Sequence, residues 1–171
     1  MKALQYPIGP FEPPTSFDVD KIEQWIHDIT NLPVNLHLKL DKSTEEQLDS
    51  PYRKGGWTVR QVVHHLADSH MNCFVRFKLA LTENTPVVKA YDESAWANMP
   101  DSKGDITSSL QIIEGIHFRW SVLLRAMTNE DYNKMISHPE IGDVTLYQLL
   151  SLYSWHSRHH LAHIEIGLHV Q

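Results

Sequence analysis

Two stretches of the chain, WTVRQVV at residues 57–63 and VTLYQLL at residues 144–150, share one pattern: an apolar residue, then Thr-x-x-Gln, then two apolar residues. In each, the threonine hydroxyl is placed to cap a helix while the glutamine three residues on reaches back to the threonine N–H. Trp57 with Val62, and Val144 with Leu149, add the apolar contact that fixes the angle at which the chain enters such a helix. Two helices therefore start at defined places, and their periodicity carries them to about Leu81 and about Leu168. Helical spacing also runs from about Asp18 to Leu40, through Ile22, Trp25, Ile26, Ile29 and Leu36, and from about Thr107 to Met127. Pro33 lies inside the first of these and predicts a kink or break after Leu32. Residues 1–17 hold Pro7, Pro10, Pro13 and Pro14 and read as an extended arm packed along the domain. Residues 41–56, 83–104 and 128–144 are connections, the last with a short hairpin around Gly142. The expectation is all-α: one four-helix-bundle domain over 1–171 with an extended N-terminal arm.

The balance of charge narrows the partners. A formal charge of −6 with no cluster of Lys and Arg argues against nucleic acid. A single cysteine, Cys73, suits a reducing compartment, and the chain carries neither an apolar leader nor a stretch long enough to span a bilayer. A cytoplasmic protein acting on a small molecule, without membrane or nucleic-acid contacts, is the expectation.

The last helical segment is crowded with His156, His159, His160, His163 and His169. His156 and His160 are four residues apart, about 40° around the axis with Cβ atoms about 5–6 Å apart, close enough to share one ion. Leu149, Leu152 and Tyr153 fall in the same sector, whereas Ser151, Arg158 and Glu165 fall opposite, so the pair is predicted to point inward. His163 lies near that sector and His159 at its rim. A buried pair of imidazoles needs partners, and spacing alone leaves metal binding and structural packing evenly matched. On the second helical segment His65 shares a face with Ser69, Asn72 and Arg76, with Asp68 nearby. Spacing alone leaves that line open between a buried hydrogen-bond network and one wall of a polar pocket. Cys73 stands about 12 Å along the axis from His65 and is predicted to be inert filler. His-Glu-x-x-His is absent, because Ser157 follows His156, and the paired Glu-x-x-His motifs of di-iron bundles are not complete.

From YPIG at the start, through PYRKGGWTVRQVVHHLADSHMN, to WHSRHHLAHI, the chain resembles the DinB-like family of bundle proteins. The resemblance implies a four-helix bundle, a homodimer, and one divalent cation per subunit held by three histidines. It carries those ligands over to His65, His156 and His160. Many relatives follow the last histidine with Arg-Gly-Gln, where this chain has Leu161-Ala162-His163, which leaves the role of His163 open.

The reading is therefore a metal-dependent hydrolase, with zinc expected first and nickel second. Three neutral imidazoles leave an open position on the ion, where a water's pKa falls from 15.7 to about 7. Asp68, Asn72, Arg76 and His163 are the candidates for supporting or substrate contacts; no carboxylate base stands out. Some relatives of the family are thiol S-transferases using low-molecular-weight thiols such as bacillithiol, which is the alternative activity. A non-catalytic bundle is the third reading. Trp25, Trp96 and Trp155 are the large apolar candidates for a dimer contact.

Overall fold

In the computed structural model, which describes residues 2–169, the chain runs α1 (Lys2–Gln5), α2 (Val19–Leu40), α3 (Glu45–Leu48), α4 (Val59–Thr82), α5 (Glu93–Trp96), α6 (Thr107–Ala126), α7 (Asn129–Tyr132), an antiparallel hairpin of β1 (Met135–His138) and β2 (Gly142–Thr145), and α8 (Leu146–His169). The four long helices α2, α4, α6 and α8 make the expected bundle. Both α2 and α4 pack against α6 and α8, so α2 and α4 lie on opposite corners.

Both capping boxes form. The Thr58 hydroxyl accepts from the Gln61 N–H at 3.2 Å and the Gln61 side chain accepts from the Thr58 N–H at 3.0 Å. At the head of α8 the same two bonds between Thr145 and Gln148 are each 3.1 Å. The hairpin turns through residues 139–141 into Gly142, whose φ of 75° is a left-handed conformation that costs glycine little.

Pro33 does not break its helix: α2 continues through it from Val19 to Leu40. Proline has no N–H to offer the carbonyl four residues back, which belongs to Ile29. That carbonyl is bonded instead by the Nδ1 of His117 on α6, at 2.5 Å. A side chain from a neighbouring helix supplies the donor that the helix lost, so the local rule was overridden by tertiary structure.

Other expectations need correction. The arm begins with the single turn α1, and the connections contain the single turns α3, α5 and α7. Ser151, expected to face water, is buried, because the arm crosses that side of α8. There Phe11 packs on Trp155 and the Trp155 indole N–H donates to the Gly9 carbonyl at 3.2 Å. Trp25 is not a surface residue either; it is buried edge-on against Tyr147 and belongs to the core.

The core has two apolar clusters, one around Ile26, Phe77, Trp120 and Leu150 and one around Leu36, Leu66, Ile113 and Ile164. Along each of three helices the residues between these clusters include buried polar groups. They are Ser69 and His70 on α4, His117 on α6, and the histidine run on α8. At the far end of α8, Gly167 lies against the loop before α4. A Cβ there would stand 2.5 Å from Val59 Cγ2 and 3.4 Å from the Ser50 carbonyl oxygen. Gly167→Ala is accordingly expected to destabilise the fold. Overpacking costs about 1–3 kcal/mol, more than the roughly 1 kcal/mol that replacing a helical glycine returns. A urea midpoint equal to or above the parent's would contradict this.

Candidate metal centre

His65 on α4 and His156 and His160 on α8 meet across the seam between those helices. Their nearest ring nitrogens all lie within 4.8 Å of one another, and the Nε2 atoms of His65 and His156 are 3.1 Å apart. His65 and His160 are buried and His156 is half-buried. Burial is the largest cause that lowers their basicity, and the neighbouring imidazoles add to it. His65 falls to about 4, and His156 and His160 fall well below the usual histidine value. The three rings are therefore neutral at pH 7, the form in which an imidazole lone pair can bind a cation. Below them Ser69 and Tyr153 exchange a hydrogen bond between hydroxyls at 3.1 Å.

The outer nitrogens of the two α8 rings are occupied. His156 Nδ1 lies 3.0 Å from Nε2 of His70, and His160 Nδ1 lies 3.3 Å from Nδ1 of His163. His163 Nε2 in turn stands 3.2 Å from the Leu4 carbonyl, which can only accept. His163 therefore carries its proton on Nε2 and accepts from His160 through Nδ1, which leaves the lone pair of His160 on Nε2. Tyr52 stacks on the His163 ring at 3.9 Å between centroids, so the arm and the loop before α4 together clamp it.

A second trio, His159, His160 and His163, also satisfies the spacing for an ion, all from α8. His159 stacks on Trp155 at 4.3 Å, and its buried Nδ1 has no partner among the described residues. His169 is exposed and bonds the Glu165 carbonyl of its own helix at 2.7 Å.

A cavity of about 420 Å³ opens over the histidines, walled by Tyr6, Tyr52, Trp57 and Glu93. A smaller one, about 210 Å³, shares Glu93 and His156 with it and reaches Arg76, Tyr91 and His138. Arg76 donates to the Lys89 carbonyl at 3.0 Å and lines this smaller cavity. Asp68 and Asn72 line neither. Asp68 is half-buried, and burial first of all raises its carboxyl; the Asn72 amide donates to the Asp68 carbonyl within α4 at 2.9 Å. Cys73 is fully buried and its thiol is pushed well up by that burial.

Two sets of residues escaped the sequence reading. Glu93 is the only carboxylate among the described residues lining the larger cavity; the residue is exposed at the cavity mouth, and partial desolvation there, opposed by Arg76, raises its carboxyl. It sits on a one-turn helix in a long connection, where no periodicity marks it. His70 and His117 are fully or almost fully buried and join the site through His156. The available signal was a polar ring on the apolar side of each helix.

Comparison with known proteins follows the same lines. A family model described as the DinB superfamily matches residues 30–164. YfiT of Bacillus subtilis (strain 168), named "Putative metal-dependent hydrolase YfiT", is 48% identical over 163 residues, covering 94% of this chain and 92% of that protein. A protein of Bacillus cereus (strain 03BB102), also named a metal-dependent hydrolase in the same terms, is 49% identical over 164 residues, or 96% of this chain and 95% of that one. The solved structure of YfiT superposes with a TM-score of 0.92 at 47% identity, covering 95% of this chain and 94% of that one. It is described as "a probable metal-dependent hydrolase with an unusual four-helix bundle topology".

Proposed function

Since this chain belongs to the DinB superfamily, we propose that it is a metal-dependent hydrolase in which His65, His156 and His160 hold one divalent ion. The observation that carries this reading is the convergence of three neutral imidazoles from two helices beneath an open cavity. Two nitrogens each about 2.0–2.1 Å from one zinc ion stand roughly 3 Å apart, and the 3.1 Å between His65 and His156 fits that spacing. An all-imidazole set suits zinc and also nickel. The trio on α8 alone is disfavoured, because the contact between His160 and His163 is a hydrogen bond anchored on the Leu4 carbonyl.

When bound, such an ion supplies Lewis acidity and a water with a pKa of about 7. The chain supplies the rest. Glu93, with its raised carboxyl, takes the proton that the attacking water gives up and returns it to the leaving group. Tyr6, Tyr52 and Trp57 wall the cavity, whose size suits a small molecule. Arg76 and His138 stand in the adjoining cavity to hold a polar end of the substrate. Asp68 and Asn72 line neither cavity and are given no role in this reading, and the Cys73 thiol is too deeply buried to compete for the ion.

The two adjoining cavities favour one rival, a thiol S-transferase with a thiol such as bacillithiol in one and its acceptor in the other. We also propose a homodimer in the cytoplasm. No helix among the described residues is long and apolar enough to cross a membrane, and Phe118 and Val122 present large apolar groups one turn apart on α6.

Protein purified without nickel resin is expected to hold about one ion per chain by elemental analysis. Hydrolysis of ester, amide or phosphoester panels should cease on chelation and return with zinc or nickel. Metal-dependent conjugation of bacillithiol to an electrophile, with silent hydrolysis panels, would replace hydrolase by transferase. Protein holding no ion, and taking none up, would end both.

A further inference from the structure

The carbonyl that Pro33 leaves free begins a chain of contacts that ends at the candidate metal centre. His117 Nδ1 is 2.5 Å from the Ile29 carbonyl, His117 Nε2 is 2.9 Å from His70 Nδ1, and His70 Nε2 is 3.0 Å from His156 Nδ1. Each nitrogen–nitrogen contact holds one proton, and the carbonyl at the far end can only accept. That end fixes every proton in the chain. His117 must donate from Nδ1, and a neutral ring then has only a lone pair on Nε2. His70 must therefore donate from its Nδ1, and its own Nε2 becomes an acceptor. His156 must donate to it from Nδ1. What remains on His156 is an Nε2 lone pair, 3.1 Å from Nε2 of His65.

We propose that His70 and His117 are positioning residues, which transmit the acceptor character of the Ile29 carbonyl to His156 and so hold the His156 Nε2 lone pair toward His65 and His160. A neutral histidine in water prefers its proton on Nε2, so all three rings are held in the less common tautomer. The packing of the relay is suited to keeping the rings both neutral and fixed. The His70 and His117 rings lie edge to edge, 20° from parallel with centroids 4.9 Å apart, and Trp120 stands edge-on to both. Both rings are essentially without solvent contact, and burial is the main cause that lowers their basicity. His160 is served in the same way by a shorter chain, through His163 to the Leu4 carbonyl. A ligand that arrives with its lone pair already aimed need not change tautomer when an ion enters, and such outer partners contribute roughly 10–100-fold to metal affinity.

The use of this relay rests on the metal-centre reading; the tautomers do not, since they belong to the ion-free chain. The test is therefore long-range proton–nitrogen correlation on chelator-treated protein with labelled imidazoles at neutral pH. His117, His70 and His156 should each show a protonated Nδ1 and a pyridine-like Nε2. A protonated Nε2 on His70 or His156 would overturn the proposal. Zinc affinity by chelator competition gives the second arm. His117→Leu should weaken it about 10–100-fold. His117→Gln should stay within a few-fold of the parent, because its amide can donate to Ile29 and accept from His70. Equal losses in the two variants would reduce His117 to packing and sink the idea. Should the leucine variant not fold, the tautomers and the glutamine variant decide. Expected tautomers in a protein that takes up no zinc would remove the metal reading and leave the relay standing.

Discussion

Replacing any one of His65, His156 and His160 by alanine is expected to strip the ion from a protein that otherwise stays folded. Each ring supplies one of the three nitrogens that converge on the proposed ion, so its loss leaves two ligands and a water-sized gap. The fall in affinity should exceed the roughly 10–100-fold that supporting residues contribute. His163→Ala should fall within that smaller range, because it removes the partner of His160 Nδ1 and the link to the Leu4 carbonyl. His159→Ala and His169→Ala should retain the ion, since the first ring stacks on Trp155 and the second bonds its own helix. Elemental analysis after exhaustive dialysis, with circular dichroism as the check on folding, separates the three groups. If His159→Ala and His163→Ala lose the ion while His65→Ala and His156→Ala keep it, the trio on α8 is the site instead.

The features legible in the sequence were those set by short spacing. Thr58 with Gln61 and Thr145 with Gln148 mark helix starts because the cap is made within four residues. The inward facing of His156 and His160 follows from the same short arithmetic. What could not be read depends on groups far apart in the chain. Pro33 predicts a kink or a break, and no local pattern announces that the helix runs on while His117, 88 residues from Ile29, takes the freed carbonyl. Ser151 was assigned to water because the course of the arm across α8 is not encoded in the periodicity of α8. Asp68 and Asn72 share a polar line with His65, yet the Asn72 side chain turns back to its own helix backbone, a competition that residue type makes common and spacing cannot resolve. His70 and His117 look like isolated polar rings until the fold brings three helices together. The ligand set itself came from resemblance rather than from spacing.

Mild acid is expected to unfold the ion-free protein at a pH where most bundles of this size are intact. The sign follows from the direction of the shifts. A histidine whose folded pKa is lowered binds fewer protons folded than unfolded, so its neutral burial costs nothing above about 6.5 and destabilises progressively as the pH falls toward the folded value. His65 and His117 are both nearly fully buried and both fall to about 4. Each costs about 1.4 kcal/mol one pH unit below 6.5, so together they remove about 3 kcal/mol at pH 5.5 and about 5 kcal/mol at pH 4.5. His70, His156 and His160 are likewise lowered, by burial first, and act with the same sign. A domain whose whole stability is about 5–15 kcal/mol cannot absorb all of these. The helical signal of chelated protein should therefore be lost with a midpoint near pH 5–6, above the range in which carboxylates titrate. Zinc should move the midpoint lower, because it competes with protons for the same nitrogens. Chelated protein that keeps its helices below pH 4 would show that the imidazoles are not held neutral in the folded chain, and with that the ready-made lone pairs of His156 and His160 would be lost.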